Sequence, residues 1–328
     1  MSYDNYVRSI PKTLFGYWRL GESASPFADI SGHPDGPTDM IRQARGNPMV
    51  TDVPGIPAGG DLESAVRFTA AIATNDYLRS ASSVGGGYRY NFAGGTAQTL
   101  AAWVKPGDPG VGSAFVGPVV GSWYQVSGPI FAGYRLWVLW PSRRPAFQRT
   151  NVSGTPNIAL NNPAVNLAAD DWSLIVGTYD PAAGAKLYVN GVLVASDTTL
   201  FTADVPNLSA VIGGVEPISE QSANGVYGFY GSIDEVAIWG GVLSPAEING
   251  LYTQGLSPPP STCNYIYTPD PDFYGTDTFT FKGNDGLYDS NTATITIHVR
   301  RDLVVECDEL TLAASTGSDL TLSSSVCE

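Results

Sequence analysis

The sequence predicts an all-β protein: one large antiparallel two-sheet sandwich followed by a small β module. Three observations carry this. Gly (37) and Pro (24) are abundant while charged residues are only 15% of the 328, the profile of many short strands joined by tight turns and not of a helical bundle. Apolar residues recur at period two in short runs, as on strands with one buried face. Asn190-Gly191 stands between two apolar runs, a strong hairpin signal because both central residues of a type I′ turn need φ > 0.

Taken in order, residues 3–9 suit a short lead-in helix and Leu14 to Leu20 an aromatic-rich strand. Residues 23–61 are dominated by Gly, Pro, Asp and Ser and read as long loops. Alternation returns at Ala65 to Phe68 and at Ala97 to Val104, where Leu100, Ala102 and Val104 share a face. Tyr134 to Trp140 is apolar on both faces, Leu136/Val138/Trp140 against Trp137/Leu139, as expected of a central strand between two layers. Trp172 to Tyr179, Lys186 to Val194, Ala210 to Gly214 and Tyr227 to Trp239 follow as strands. Trp18, Trp103, Trp137, Trp172 and Trp239 fall inside such runs and are expected in the core.

Ser244-Pro-Ala-Glu247 is a capping box with proline at the first helical position, opening a short helix through Tyr252. Gly255-Leu-Ser-Pro-Pro-Pro-Ser261 is a stiff linker. The expected division is therefore a sandwich over 1–254, a linker over 255–262, a partial β-sandwich over 263–301 and a tail over 302–328. The tail repeats itself, Glu309-Leu-Thr-Leu against Asp319-Leu-Thr-Leu, which two strands of a hairpin would explain.

The net charge of −14 repels phosphate backbones and anionic membrane surfaces, so neither nucleic acid nor membrane is an expected partner. Cys263, Cys307 and Cys327 are the only cysteines. Their odd number argues against a full disulfide framework, while a single Cys307–Cys327 bridge fits the count. The first residues lack a basic segment followed by an apolar one, and no run approaches the roughly 20 apolar residues that span a bilayer. The expectation is a protein made in a cytoplasm that stays there or leaves by lysis or within an assembled particle.

Three ordered stretches resemble the concanavalin A-like/laminin G-like jelly-roll family: Gly16-Tyr-Trp-Arg-Leu-Gly-Glu22 with Ala28-Asp-Ile-Ser-Gly32, Trp172 through Asn190-Gly191, and Gly231-Ser-Ile-Asp-Glu-Val-Ala-Ile-Trp239 with Leu243-Ser-Pro-Ala-Glu-Ile248. The acidic leader running into the Tyr17-Trp-Arg-Leu-Gly-Glu22 strand is similar to laminin G-like proteins of tailed phages. Tyr267 through Phe281, Asn284-Asp-Gly and Ala293-Thr-Ile-Thr-Ile297 resemble the C-terminal half of cadherin-like tandem β-sandwich repeats, an Ig-like module. The strands that normally precede this half are missing. Either 302–328 supply them or another chain does by strand addition.

The resemblance implies a binding protein. The only histidines, His33 and His298, lie far apart, so neither zinc spacing nor a His-based triad is present. Glycoside hydrolases need two carboxylates about 5–9.5 Å apart, which on a strand reads as acid-x-acid. Ile233-Asp-Glu-Val236 instead puts its two acids on opposite faces. In related jelly-rolls a structural Ca²⁺ joins the early loop to the last strand, and the matching positions are Asp29, Asp234 and Glu22. Their alternative role is local turn bonding. Glycan stacking would use aromatics in Gly-rich context, Trp123, Tyr124, Tyr88 and Tyr90, against core packing as the alternative. Pro141-Ser-Arg-Arg-Pro145 is a basic spot, either facing an acidic partner surface or a solvated turn.

The expected function is a non-enzymatic virion structural protein of a tailed phage (capsid decoration, fibre or tail-associated) whose jelly-roll adheres to host-surface glycan. Its C-terminal module would meet other virion proteins or sister subunits. The alternatives are a carbohydrate-binding or adhesin module of a bacterial extracellular or cell-surface protein, and a glycoside hydrolase.

Overall fold

The computed structural model describes residues 2–56, 64–69, 76–81, 89–90, 92, 96–108, 115–127, 130–151, 157–201, 209–214, 228–256, 262–265, 267–270, 273–282, 292–299 and 310–313. The chain divides into two compact units, Met1–Pro259 and Pro260–Glu328.

The first unit is a sandwich of two antiparallel sheets. One sheet has eight strands: β1 (Thr13–Trp18), β3 (Val50–Pro54), β4 (Ser64–Phe68), β6 (Gln98–Pro106), β11 (Ser173–Asp180), β12 (Gly184–Val189), β13 (Val192–Asp197) and β15 (Gly231–Gly240). They run in the order β13-β12-β11-β6-β15-β4-β3, with β1 also paired to β15. The other has seven: β2 (Met40–Gln43), β5 (Tyr77–Ser80), β7 (Phe115–Ser127), β8 (Ile130–Trp140), β9 (Arg144–Thr150), β10 (Asn157–Asn161) and β14 (Val211–Ile212). Their order is β10-β9-β8-β7-β14-β5-β2. Chain order and sheet order disagree because the chain crosses repeatedly between the layers, as in a jelly-roll.

Period two decides what fills the space between the sheets. Leu100, Ala102 and Val104 of β6 meet Leu136, Val138 and Trp140 of β8 in one buried cluster. Phe115 stacks on Trp140 with centroids 4.9 Å apart, and Phe229 meets the same ring edge-on at 5.4 Å. The β12–β13 hairpin turns at Asn190 (φ 50°) and Gly191 (φ 80°), as a type I′ turn requires.

The outward face of the eight-stranded sheet forms a second cluster. Ala101, Trp103, Leu174, Val176, Ala237 and Trp239 pack against Tyr3 and Val7 of α1 (Tyr3–Ser9) and Ile248 and Leu251 of α2 (Pro245–Leu256). The capping box that opens α2 is formed: the Ser244 N–H donates to Glu247 Oε2 at 2.6 Å and the Glu247 N–H to Ser244 Oγ at 3.2 Å. The helix passes the expected end at Tyr252 because Gly255 still lies on the sheet; a Cβ there would sit 2.1 Å from Trp103 Cζ2. The Trp103 ring also stacks on Tyr252 at 6.0 Å and donates Nε1–H to the Tyr3 hydroxyl at 3.1 Å. The two helices are joined directly, the Tyr6 hydroxyl donating to the Glu247 carbonyl at 3.2 Å.

Two expectations change. Residues 23–61 contain β2 and β3 as well as loops; β3 is an edge strand with alternate residues exposed, so its pattern carries little apolar signal. Trp18, Trp103 and Trp239 are fully buried, but Trp137 lies on the outward face of the seven-stranded sheet and Trp172 is only half-buried. Apolarity on both faces of β8 reflects one face in the core and one at the surface.

In the second unit, β17 (Gly275–Phe281) and β18 (Ala293–Val299) pair from Gly275↔Val299 to Phe281↔Ala293, with Ile295 buried. β19 (Leu310–Ala313) pairs with β16 (Thr262–Tyr265), so the tail returns a strand to the segment that opens the unit. The repeat of β19 at Asp319, and both Cys307 and Cys327, lie outside the described residues.

Gly255→Val places a branched side chain against the Trp103 ring. Overpacking of this kind costs about 1–3 kcal/mol, so urea unfolding of the variant is expected to show a lowered midpoint with an unchanged slope.

Candidate functional site

The face that matters is the outward side of the seven-stranded sheet. None of its residues belongs to the cluster beneath α1 and α2. With Leu136 and Val138 in the core, period two turns Arg135, Trp137 and Leu139 outward. On the neighbouring strands the same row holds Gln148 opposite Arg135 and Arg144 opposite Leu139. The Arg135 guanidinium lies 4.2 Å from the Trp123 ring centroid and 5.1 Å from that of Trp137, within cation–π range of both. Its Nε and Nη2 donate to Gln148 Oε1 at 3.1 and 2.8 Å. Trp123 is only 3% exposed and Arg135 6%, whereas Trp137, Arg144 and Gln148 are half-buried. Trp123 is thus the floor of a Trp–Arg–Trp ladder and Trp137 the ring that solvent reaches. Among the described residues, Trp137 Nε1 and Arg144 Nε meet no protein acceptor. An aromatic face beside a planar cation and an amide can hold a sugar ring by stacking and fix it by hydrogen bonds.

Of the aromatics expected to bind ligand, Trp123 belongs to this ladder; Tyr124 is the next residue of β7, and its side chain lies outside the described ones. Tyr88 lies outside the described residues. Tyr90 is not a surface residue: it is 1% exposed, its ring meets Trp18 at 5.7 Å, and its hydroxyl pairs with Thr38 Oγ1. Burial pushes that hydroxyl well above its ordinary pKa. Gly-rich context suggested a loop tip, but ring and hydroxyl both find partners inside. Gln148 was missed, Trp137 was expected in the core, and Arg144 was named only as part of the basic spot at Pro141 to Pro145. The signal that finds them is compositional: the seven strands contain no Asp or Glu and five arginines.

Asp29, Asp234 and Glu22 do not make an oxygen cage for calcium. Asp29 accepts from the N–H groups of Tyr17 (3.1 Å), Ser31 (3.0 Å) and Thr38 (2.9 Å) and from the Thr38 hydroxyl (3.1 Å). It also pairs with Arg89 at 3.3 Å, both side chains nearly fully buried. A carboxylate so filled with donors has no lone pair to give a cation. Asp234 accepts from the Ile56 and Glu235 N–H groups, each at 2.9 Å, and Glu22 from the Ala28 N–H at 2.7 Å. Among the described residues, no three His, Cys, Asp or Glu side chains come together to hold a metal.

The two acids of β15 also depart from expectation. A bulge between Asp234 and Ala237, with Glu235 at φ 50°, shifts the register. Asp234 reaches Ile56 and Glu235 reaches the Tyr17 hydroxyl, and Ile56 and Tyr17 both belong to the helix-covered cluster. The extra residue therefore brings both acids to one side. Arg19 Nε stands 3.6 Å from Glu235. Burial raises both carboxyl pKa values, Glu235 to about 7 against the opposing pull of Arg19 and Tyr17; for Asp234 the charge of Glu235 adds to burial. At 0% and 1% exposure the pair meets no substrate.

Two antiparallel sheets stacked in this order define a concanavalin A-like β-sandwich. The family model described as the concanavalin A-like lectin/glucanases superfamily matches residues 73–249, more than half of the chain, and the chain belongs to that superfamily. A model described as bacterial Ig domain matches residues 241–298. That match includes α2, which packs on the first unit, so the structural boundary falls later, at Pro259. A comparison with curated proteins finds no match. Among solved structures, the binding domain of Paraclostridial Mosquitocidal Protein 1 is similar at 12% identity and TM-score 0.52, covering 94% of this chain and 73% of that one. The ligand binding domain of botulinum neurotoxin serotype D, in complex with N-acetylneuraminic acid, gives 13%, 0.52, 97% and 69%. The botulinum neurotoxin serotype G binding domain gives 12%, 0.51, 95% and 70%. At these identities the likeness shows the fold alone.

The buried pair makes stability depend on pH. The unfolded chain releases the Glu235 proton near the ordinary 4.5 and the folded chain only near 7. Between these values the folded state holds more protons, so stability falls as pH rises through the window. Urea midpoints are expected to drop from pH 4.5 to 8, and Glu235→Gln, which keeps an acceptor for Tyr17, to flatten that drop.

Proposed function

We propose that the chain is a non-catalytic glycan-adhesion protein whose jelly-roll meets saccharide on the outward face of the seven-stranded sheet. The observation that carries this is Trp137: a half-exposed indole beside Arg135, Arg144 and Gln148 on a sheet face that neither α1 nor α2 seals. Membership of a superfamily described by its lectins and glucanases supports saccharide as the ligand, as does a fold shared with toxin binding domains, one of them solved with N-acetylneuraminic acid. The lack of acids in the seven strands, with the β15 pair buried, supports binding over hydrolysis.

The carrier we propose is the virion of a tailed phage, where the jelly-roll displays toward the host and the C-terminal module meets other virion proteins or a sister subunit. The opening Tyr17 to Glu22 resemblance favours it. The bacterial Ig domain match favours a second carrier, a bacterial extracellular or cell-surface protein. Mass spectrometry of purified virions against secreted and surface fractions separates the two.

Trp137→Ala removes the stacking face without touching the core. On a glycan array, the wild-type chain is expected to bind a restricted set of saccharides and the variant to bind them about tenfold more weakly. A silent array, or a variant that binds equally well, overturns the reading.

A further inference from the structure

We infer that the saccharide taken by this face is acidic, a polymer bearing carboxylate or sulfate groups, gripped by Arg144 beside Trp137 over the buried charge of Arg135. This rests on the glycan-binding reading above and names the charge class of its ligand.

The charge of the chain is unevenly distributed. The whole protein has 31 acidic and 17 basic residues. The eight-stranded sheet carries Asp52, Asp180, Asp197, Asp234 and Glu235. The seven-stranded sheet carries no carboxylate and five arginines. Three of these are tied into the fold: Arg149 is fully buried over the rings of Tyr179 and Phe201, Arg42 pairs with Asp76 at 2.5 Å, and Arg79 Nε donates to Ser209 Oγ at 3.1 Å. Arg79, Arg135 and Arg144 turn outward. Arg79 and Arg135 share one row, linked through Val211 and Gly121, and Arg144 stands on β9 beside Trp137. The basic spot at Pro141 to Pro145 thus continues into a sheet face and is not an isolated turn.

The hydrogen-bonding character of the face points the same way. Arginine and indole groups only donate. The acceptor nearest Arg135, Gln148 Oε1, is already taken by it. Among the described residues, the buried Arg144 Nε and Trp137 Nε1 meet no protein acceptor. Neutral sugar hydroxyls both give and take hydrogen bonds, and a face built for them offers carboxylates or amides to receive. A face of donors fits a ligand of acceptors. Carboxylate and sulfate oxygens are such acceptors, and their spacing matches the guanidinium fork with two parallel N–H···O bonds. Stacking on Trp123 holds Arg135 before any ligand arrives. The net charge of −14 repels polyanions at long range, so affinity for one has to come from this local face.

Calorimetry on the full chain tests this with matched pairs: polygalacturonate against its methyl ester, and dextran sulfate against dextran, with polyglutamate as a non-saccharide polyanion. The acidic member of at least one pair is expected to bind about tenfold or more tighter than its neutral partner, and the advantage to shrink as salt is raised. Which pair responds tells carboxylate from sulfate. Arg144→Gln is expected to reduce that advantage about tenfold, by weakening the acidic member more than the neutral one, with the near-ultraviolet dichroism unchanged. Equal affinity for acidic and neutral members overturns the inference and leaves glycan binding standing. Equal affinity for polyglutamate overturns it in favour of an acidic protein partner. No saccharide binding at all overturns both.

Discussion

Two stacked sheets have four faces, and every one of them is either buried or wet. In this protein the two inner faces bury each other around Trp18, Leu100, Trp140 and Ile238. The third, the outward side of the eight-stranded sheet, is covered by α1 and α2, with Trp103 wedged between Tyr3, Tyr252 and Gly255. The fourth stays outside both apolar clusters. That allocation leaves the outward side of the seven-stranded sheet as the face that neither helix covers, and strand geometry sets which way its side chains point.

Charges buried inside the sandwich follow the same economy. Asp29 gathers donors from Tyr17, Ser31, Thr38 and Arg89, which ties the segment after β1 to a residue 60 positions away. A charge taken out of water is tolerable when its lone pairs are filled, and Arg89 supplies Asp29 with a positive partner. Arg149 lies deeper still: burial pulls its guanidinium down to about 10, and its compensation is the face of Tyr179 at 4.2 Å together with the Phe92 carbonyl at 2.9 Å. The Asp234–Glu235 pair, held by Ile56, Tyr17 and Arg19, sits where the β15 ladder is broken.

The parts of the fold legible in the sequence are those with a strong local pattern. The β12–β13 turn, the capping box of α2, and the alternation in β6 and β11 each satisfy a rule contained within ten residues. What was hidden depended on distant partners. β2 and β3 are short, and β3 is half wet, so neither repeats long enough to show. The period-two rule assigned Asp234 and Glu235 to opposite faces because it has no place for an inserted residue. Tyr90 stands beside glycines yet is held by Thr38 and Trp18, 52 and 72 positions away. Asp29 looks the same in sequence whether its partner is a cation or a guanidinium. The ligand face was half legible: Trp123 was named for its glycine-rich setting, while Trp137 was assigned to the core, since alternation tells which residues share a side and not which side is covered.

The Tyr6 hydroxyl reaches the Glu247 carbonyl, so the helix that opens the unit and the helix that closes it lie side by side. Both helices thus occupy one layer, and the sheet on the other side of the sandwich is left clear of them.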